Sequence, residues 1–311
     1  MKAIRFHEYG DANVLRYEDV DLPVPASGQV RIRVAGTSFN GVDGNIRAGF
    51  MQGPMPLTLP HIPGLDVAGT VDELGEGVSG VKVGDAVVGF LPFVEDGASA
   101  EYVLASAGGL ALAPTSIPLA DAAAFPLVAL TARQALFDHA GLKAGERVLI
   151  NGAGGAVGGY AVQLAKAAGA HVIATASPRT AEQVKAQGAD ELIDHTATDV
   201  TAAVTEPVDV LLNLAPIDPE TFTALAGRVR DGGVVVSTTV WMPAPSDADR
   251  GVRGVDLYVN NDREQLAELV ERIDKGELSV DVARRVPLSE LPAVHADAAA
   301  GSLHGKIVIV P

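Results

Sequence analysis

The chain has no cysteine among its 311 residues. This absence excludes disulfide bonds, thiolate catalysis and every zinc site that includes a cysteine ligand. Basic side chains are also few: 23 Lys and Arg stand against 39 Asp and Glu, so the formal net charge is −16. A field of that sign repels polyanions and no basic cluster offsets it, so we expect no nucleic-acid partner.

Long apolar runs are missing as well. No segment approaches the roughly 20 apolar residues that a membrane-spanning helix needs. The first residues, "MKAIRFHEYGDANVL", are charged and lack the apolar core of a signal peptide. We therefore expect a soluble, cytoplasmic protein without membrane association. Its hydrophobic fraction of 48% is an ordinary globular value, and the length predicts two lobes.

The first third of the chain is rich in short β-type segments. "QVRIRVAGT", "DVAGTVDEL" and "DAVVGFL" are β-branched or alternate in polarity, and turns rich in glycine and proline separate them. This pattern predicts an all-β lobe with a barrel-like core. Beyond Pro118 the stretch "PLADAAAFPLVALTARQALFDHAGLKAG" instead predicts two helices, with stops at Gly141 and Gly145.

Strands and helices alternate after this stretch. The predicted strands are Arg147–Asn151, His171–Ala176, Glu191–Asp194, Val208–Leu214, Val234–Val240 and Val252–Val259. Strands joined by crossover helices predict an α/β fold with a doubly wound parallel sheet of the Rossmann type. We predict that residues 119–260 form this nucleotide-binding domain, and that residues 1–118 and 261–311 form the β-rich domain. The last part contains an amphipathic helix with an N-cap at Asp262 and a stop at Gly276, another helical piece, and a final strand, "KIVIV".

Small residues dominate the turn after the first predicted strand. In "VLINGAGGAVG", Ala153, Gly155 and Gly158 form an A-x-G-x-x-G pattern, a variant of the dinucleotide-binding fingerprint. A small first residue allows the sharp turn, the second lets a pyrophosphate approach the backbone, and the third lets the next helix pack on the sheet. The N-terminus of that helix favours an anion. The turn therefore predicts dinucleotide binding, with tight strand–helix packing alone as the alternative.

The acidic residue that would hold the ribose of NAD, about 20 residues further on, is absent. "TASPR" stands at the end of the second predicted strand. A guanidinium can bind a phosphate with two charge-assisted hydrogen bonds. Ser177 and Arg179 therefore predict NADP(H) as the cofactor, and the alternative is that Arg179 is a solvated residue at a helix start.

A series of motifs lies in order along nearly the whole chain. They are "FNGVDGNIRAG" (39–49), "IPGLDVAGTV" (62–71), "VKVGDAVVGF" (81–90), "AEYVLA" (100–105), "LTARQALFDHAGLKAGERVLI" (130–150), "AVGGYAVQLAKAAGA" (156–170) and "GKIVIV" (305–310). Together they resemble the medium-chain dehydrogenase/reductase superfamily, in its zinc-free quinone oxidoreductase (zeta-crystallin-like) branch. The resemblance implies a GroES-like β-rich lobe with an inserted Rossmann lobe, NADPH held between the lobes, and a homodimer. Zinc-bearing relatives carry a cysteine where this chain has Asn40 and a histidine where it has Leu65, so no metal site is expected.

The resemblance also implies the cofactor contacts. They are Asn40 and Thr131 at the nicotinamide end, Ala153, Gly155, Val157 and Gly158 around the pyrophosphate, Leu214, Ala215, Thr238 and Val240 near the ribose and nicotinamide, and Gly305 and Lys306 over the cofactor.

The candidate catalytic residues are Asn40, Asp43 and Asn45. Many relatives carry a tyrosine where this chain has Asn45, and an amide can form hydrogen bonds but has no phenol proton to give. Asp43 is either an orienting or relay group or a carboxylate that caps a turn. Arg47 is either the salt-bridge partner of Asp43 or a substrate contact. Asn213 likewise stands where an aspartate is common.

Direct hydride transfer without a metal favours acceptors that conjugation activates. These are quinones, or the double bond of enones, enals and enoyl thioesters. Phe50, Met51, Phe90, Phe93 and Trp241 are predicted to line a pocket for a small hydrophobic acceptor, although ordinary core or surface placement would explain each of them singly. A third interpretation is a catalytically weak, NADPH-binding protein with a redox-sensing or structural role.

Overall fold

A computed structural model describes residues 1–53, 55–239 and 241–311 and divides the chain into two compact units. The first unit contains Met1–Leu127 and Asn261–Pro311, and the second contains Val128–Asn260. One continuous segment therefore forms the second unit, whereas the first is built from both ends of the chain.

Strands and helices alternate mainly in the second unit. The strands are β1 (Lys2–Phe6), β2 (Leu15–Asp19), β3 (Gln29–Ser38), β4 (Asp66–Leu74), β5 (Ala86–Phe90), β6 (Tyr102–Ser106), β7 (Leu110–Leu112), β8 (Arg147–Asn151), β9 (His171–Ala176), β10 (Glu191–Asp194), β11 (Val208–Asn213), β12 (Val229–Ser237), β13 (Arg253–Asp256), β14 (Arg284–Pro287) and β15 (Ile307–Val310). The α-helices are α1 (Gly41–Ala48), α2 (Pro126–Arg133), α3 (Ala156–Ala167), α4 (Ala181–Ala186), α5 (Val200–Ala203), α6 (Pro219–Ala226), α7 (Arg263–Asp274) and α8 (Leu291–Ala299).

The first unit is built on a sheet with strand order β14-β15-β3-β4-β5-β7, and β6 also pairs with β3. A separate hairpin joins β1 to β2. On β3 the side chains of Val30, Ile32 and Val34 are buried and alternate with less buried Arg31 and Arg33. This two-residue period is the one from which a β-rich lobe was predicted.

Residues 119–127 pack within the first unit, although the sequence analysis assigned them to the second domain. The carboxylate of Asp121 forms two hydrogen bonds with the Arg285 guanidinium, of 2.6 and 2.5 Å. The N–H of Leu127 donates to Asp66 Oδ1 at 2.8 Å. The change in composition at Pro118 therefore marks a change from strand to helix, and the same core continues past it.

The helical stretch after Pro118 differs in detail from the two predicted helices. A 3₁₀ helix at Leu119–Ala124 precedes α2, and α2 continues directly into a π-helical segment, Gln134–His139. Gly141 and Gly145 follow with φ angles of 67° and 83°. These left-handed conformations are accessible to glycine and end the helical run where the sequence predicted.

The second unit contains a parallel sheet with strand order β10-β9-β8-β11-β12-β13. This is the strand order of the Rossmann fold, and the predicted parallel sheet is confirmed. The bounds of β8, β9 and β10 agree with the prediction, whereas β13 is shorter. The order reverses between β8 and β11, and ligands of such sheets bind beside the carboxyl ends of the strands at this point.

The C-terminal elements agree with the sequence pattern. The Asp262 carboxylate accepts the N–H groups of Glu264 and Gln265, both at 3.0 Å, and so caps α7. Gly276 follows this helix with a φ of 73°. Within residues 1–53, 55–239 and 241–311, no helix has the length and apolar composition needed to cross a membrane.

Candidate active site

The turn between β8 and α3 is shaped by two close contacts. Gly152 has a φ of 92°, and a Cβ there would lie 3.1 Å from the Cβ of Ala215. A Cβ at Gly158 would lie only 2.5 Å from the Cα of Ala153, so the third position of the fingerprint must be glycine for α3 to pack against the strand.

Gly155 has no such internal reason to be glycine. A Cβ at this position would meet nothing closer than the carbonyl oxygen of Gly152 at 3.4 Å, which is ordinary contact. Residues 154–156 are exposed, and Gly155 is the N-cap of α3. The turn thus exposes backbone without a large side chain at the N-terminus of a helix, which fits the approach of a pyrophosphate.

Three buried polar side chains support this turn from below. Asn151 Nδ2 donates to Asn213 Oδ1 at 2.8 Å, and Thr175 Oγ1 donates to Asn151 Oδ1 at 3.0 Å. The N–H of Gly152 in turn donates to Thr175 Oγ1 at 2.8 Å. The network connects the carboxyl ends of β8, β9 and β11 without a charge. Asn213 was noted in the sequence, but its connection to Thr175 through Asn151 was not predicted.

The predicted residues after β11 and β12 lie next to this network. The N–H of Leu214 donates to the carbonyl oxygen of Asn151 at 2.9 Å, and the N–H of Thr238 donates to that of Asn213 at 3.1 Å. Ala215 limits the space beside Gly152, where an added Cβ would lie 3.1 Å from its own Cβ. Val240, which was predicted with them, lies outside the described residues.

The end of β9 carries the predicted phosphate-binding pair. Ser177 is half-buried and Arg179 is exposed, in the turn that leads to α4. Thr180, which was not among the predicted residues, lies next to the glycine turn. Its hydroxyl oxygen is so close to Gly154 that a Cβ there would lie only 2.5 Å from it. Its hydroxyl also lies 3.4 Å from Ser177 Oγ.

The first unit contains a cluster of buried polar side chains. Asp66, which is fully buried at the start of β4, forms most of the hydrogen bonds within it. Its Oδ2 accepts hydrogen bonds from Ser38 Oγ at 2.6 Å and from Asn40 Nδ2 at 2.9 Å. Its Oδ1 accepts the N–H of Leu127 at 2.8 Å. Asp66 was not among the predicted residues. A charged residue opening an apolar strand, as in "GLDVAG", is the signal that could have indicated it.

Lys306 is the buried cation of the same cluster. Its Nζ lies 2.5 Å from Asn40 Oδ1, 3.3 Å from the carbonyl oxygen of Phe39 and 3.5 Å from Asp66 Oδ2. Burial lowers the pKa of Lys306, and the carboxylates of Asp66 and Asp43 oppose this effect. Three oxygen atoms therefore lie within 3.5 Å of the buried ammonium.

Asp43 also belongs to this cluster. Its Oδ2 accepts the N–H of Asn40 at 2.8 Å, so it caps the first turn of α1. Burial raises the pKa of Asp43 to about 7; the Asn40 N–H opposes this rise and the charge of Asp66 adds to it. No ion pair joins Asp43 to Arg47 in the part of the chain that is described. Arg47 is itself buried, and its Nε and Nη1 have no hydrogen-bond partner among these residues.

The other predicted residues occupy varied positions. Asn45 is exposed on α1, and Thr131 is buried on α2. Gly305 has a φ of 67° in the turn before β15. Asn45 is therefore accessible to solvent, whereas Thr131 is not.

The predicted aromatic and apolar pocket residues do not share one environment. Met51 is buried in a core cluster against which Phe93 packs, and Phe90 meets Phe93 edge to face at 5.3 Å between ring centroids. Phe50 and Trp241 are 65% and 62% exposed. The two exposed rings are thus available to a ligand, whereas Met51 and Phe90 are packed inside the first unit.

A zinc ion does not fit the residues at the two positions where zinc-bearing relatives carry ligands. Asn40 Oδ1 is bound by the Lys306 ammonium, and Leu65 is apolar and buried. Among the residues that the structure describes, no group of three His, Cys, Asp or Glu side chains could hold a metal ion.

Comparisons with known proteins cover both units. The family model "Alcohol dehydrogenase GroES-like domain" matches residues 26–115, and the model "Zinc-binding dehydrogenase" matches residues 187–309. A chloroplast envelope quinone oxidoreductase homolog from Arabidopsis thaliana is 35% identical, over 100% of this chain and 98% of the plant protein.

Two solved structures extend the comparison. The quinone oxidoreductase from Coxiella burnetii superposes with a TM-score of 0.91 at 31% identity, covering 100% of this chain and 99% of that one. The mycobacterial protein Rv1454c, solved as a complex with NADPH, gives a TM-score of 0.86 at 28% identity, with both chains fully covered.

Proposed function

The chain belongs to the quinone oxidoreductases of the medium-chain dehydrogenase/reductase superfamily, and from this premise we propose that it transfers a hydride from NADPH to a quinone or another conjugated carbonyl compound. It is an oxidoreductase with a GroES-like unit and a Rossmann unit for a nicotinamide cofactor. The preference for NADPH and the class of acceptor are our proposal. The observation that carries it is the exposed glycine turn at the switch point of the sheet, beside a β9 end without a carboxylate.

The second unit offers separate places for the two charged parts of NADPH. The N–H groups at the start of α3 and the bare backbone at Gly155 would hold the pyrophosphate. Ser177 and Arg179 would bind the 2′-phosphate, and Thr180 adds a hydroxyl beside them. The neutral network of Asn151, Thr175 and Asn213 adds no negative charge that would repel these phosphates.

Bound NADPH supplies the hydride, and the protein supplies orientation and exclusion of water. In the first unit, Asp43, Asp66 and Lys306 hold the backbone and side chain of Asn40 in one position. The exposed amide of Asn45 can donate a hydrogen bond to an acceptor oxygen but has no acidic proton to transfer. We propose that the proton for the reduced acceptor comes from solvent.

The test of this function is a panel of acceptors. NADPH absorbance is followed with 1,4-quinones, enones, 2-alkenals and enoyl thioesters side by side. Oxidation is expected with at least one conjugated class, and the preferred class separates a quinone reductase from a double-bond reductase. Measurable NADPH binding without oxidation by any member of the panel would instead establish the NADPH-binding, redox-sensing or structural role.

Replacement of Arg179 tests the cofactor preference. Loss of one charge-assisted contact costs about 1.5–3 kcal/mol, so Arg179→Ala should weaken NADPH binding by roughly ten- to a hundredfold. NADH binding should change little, because NADH lacks the 2′-phosphate. Fluorescence titration of both cofactors measures the two dissociation constants.

Arg253→Ala is the matched control, because Arg253 is an exposed arginine at the far edge of the same sheet. It should leave both constants unchanged. Equal losses for NADPH and NADH in Arg179→Ala would rule out the phosphate assignment.

We also propose a homodimer in the cytoplasm. The dimer follows from the resemblance of the sequence motifs to the zinc-free quinone oxidoreductase branch. Sedimentation velocity tests the oligomeric state, and fractionation of the native host tests the compartment.

A further inference from the structure

The side-chain amide of Asn40 is held at its two ends by groups of opposite charge. Its oxygen accepts from the Lys306 ammonium at 2.5 Å, and its nitrogen donates to the Asp66 carboxylate at 2.9 Å. All three side chains are buried, with exposed fractions of 6%, 7% and 0% for Asn40, Lys306 and Asp66. A flipped amide would place its oxygen against the carboxylate and its NH₂ group against the ammonium, so only one orientation is compatible with both charges.

Lys306 and Asp66 have little capacity left for a ligand. The Lys306 ammonium has three N–H donors and faces three oxygen atoms, on Asn40, Phe39 and Asp66. The Asp66 carboxylate is occupied by Ser38, Asn40, Leu127 and Lys306. Neither group is therefore placed to act on a bound molecule directly, and both contact the side chain of Asn40.

The Asn40 amide, by contrast, has one N–H that is only weakly bound. The other contact of Nδ2 is to the carbonyl oxygen of Ser38 at 3.5 Å, which is at the limit of a hydrogen bond. Its oxygen is already engaged by a charged donor. The fixed orientation therefore leaves this N–H as the group of the Asn40 side chain that could be given to a ligand.

We propose that Lys306 and Asp66 are positioning residues that lock Asn40 as a hydrogen-bond donor to a carbonyl oxygen. That oxygen belongs to the nicotinamide carboxamide or to the conjugated acceptor. The inference rests on the proposed function, because it assumes that Asn40 faces the reacting molecules. It adds the reason for the buried ion pair: without it, the two orientations of an amide of nearly symmetric shape would compete.

The central variant is the double substitution Lys306→Met with Asp66→Asn, because removing either charge alone would leave the other buried and unpaired. We expect it to fold, as judged by circular dichroism and by its urea unfolding midpoint. We expect kcat/KM for the best acceptor to fall by about tenfold, the size of one lost hydrogen bond to a neutral partner. The double substitution Lys2→Met with Asp19→Asn, which removes an exposed ion pair of the same unit, is the matched control and should keep full activity.

A double-mutant cycle separates positioning from a general structural effect. If Lys306 and Asp66 act through Asn40, the charge-removing pair should cause no further loss of kcat/KM in an Asn40→Ala background. Additive losses in the two backgrounds would overturn the proposal, as would full activity of the charge-removing pair.

Cofactor binding, which does not depend on turnover, is measured together with the acceptor KM to identify the oxygen. NADPH is compared with 2′-phospho-ADP-ribose, which lacks the nicotinamide. Weaker binding of NADPH alone in the charge-removing variant assigns the donor to the carboxamide, and unchanged binding with a raised acceptor KM assigns it to the acceptor. If none of the acceptors in the panel supports NADPH oxidation by the unmodified protein, the proposed function fails. The inference then stands only if NADPH binding alone is weakened, and unchanged binding of both ligands refutes it.

Discussion

Asp43 is a carboxyl group whose buried environment favours the neutral form. Its folded-state pKa of about 7 lies above the value of about 3.9 expected in an unfolded chain. A raised folded-state pKa means that folding favours the protonated form. The stability that Asp43 contributes is therefore fully present below about pH 4 and is lost as the pH rises toward 7.

Asp43→Asn removes this titration and keeps an oxygen that can accept the Asn40 N–H. The unfolding free energy of the unmodified protein should therefore fall relative to that of the variant between pH 4 and 7. Each pKa unit is worth about 1.4 kcal/mol, so the difference changes by about 4 kcal/mol at most. Urea unfolding at several pH values measures it, and parallel pH profiles for the two proteins would contradict the prediction.

The sequence indicates individual candidate residues of the site but not their contacts. Motif matching found Asn40, Asp43 and Lys306, yet it did not indicate that the lysine binds the asparagine side chain. These residues come from opposite ends of the chain, and only the paired sheet brings them together. Met51 is a further example, because an apolar residue after a helix fits a pocket and a core equally well in sequence, and here it lies in a core cluster.

Helix α3 contains two adjacent glycines with different surroundings. A Cβ at Gly158 would meet the backbone of Ala153 at 2.5 Å, whereas one at Gly159 would meet the end of the Gln187 side chain at 2.8 Å. Backbone cannot yield cheaply, but a flexible side chain can. The same substitution should therefore have opposite effects at the two positions.

Gly158→Ala should destabilise the protein by about 1–3 kcal/mol, the usual cost of overpacking. Gly159→Ala should be neutral or stabilising, because alanine is favoured over glycine within a helix by about 1 kcal/mol. Urea unfolding followed by circular dichroism compares the two variants, and equal losses would show that Ala153 can move away from α3.

The elements that were predicted well from the sequence are those whose apolar residues follow a clear strand or helix pattern. The parallel strands of the second unit alternate with helices, and β8 to β10 have the predicted bounds. Residues 119–127 were harder to place, because an alanine-rich segment can pack on either core. Their position is decided by long-range contacts such as that of Asp121 with Arg285, which lies 164 residues away along the chain.

The last strand of the chain, β15, completes the main sheet of the first unit. β15 pairs with both β14 and β3, and Ile307, Val308 and Ile309 on it are at most 2% exposed. Each buried aliphatic side chain contributes about 1.5–3 kcal/mol. Their combined contribution is comparable to the total stability of a typical domain, about 5–15 kcal/mol.

Truncation after Gly305 should therefore disrupt the first unit and spare the second. Hydrogen–deuterium exchange read by mass spectrometry should show lost protection in peptides from β3 and β4 and retained protection in β8 and β11. Removal of the exposed Pro311 alone is the control and should change neither. Protection that survives in β3 after the longer truncation would show that β15 is dispensable for the first unit.

The two ends of the second unit are tied to each other within it. The Gln134 side chain donates to the backbone oxygen of Asn260 at 2.8 Å and accepts its N–H at 3.0 Å. A continuous segment whose two ends lie close together can be replaced in evolution as one piece, by recombination at its two ends. The residues proposed to select the cofactor lie in this segment and the Asn40 cluster lies in the first unit, so the two could be inherited independently of each other.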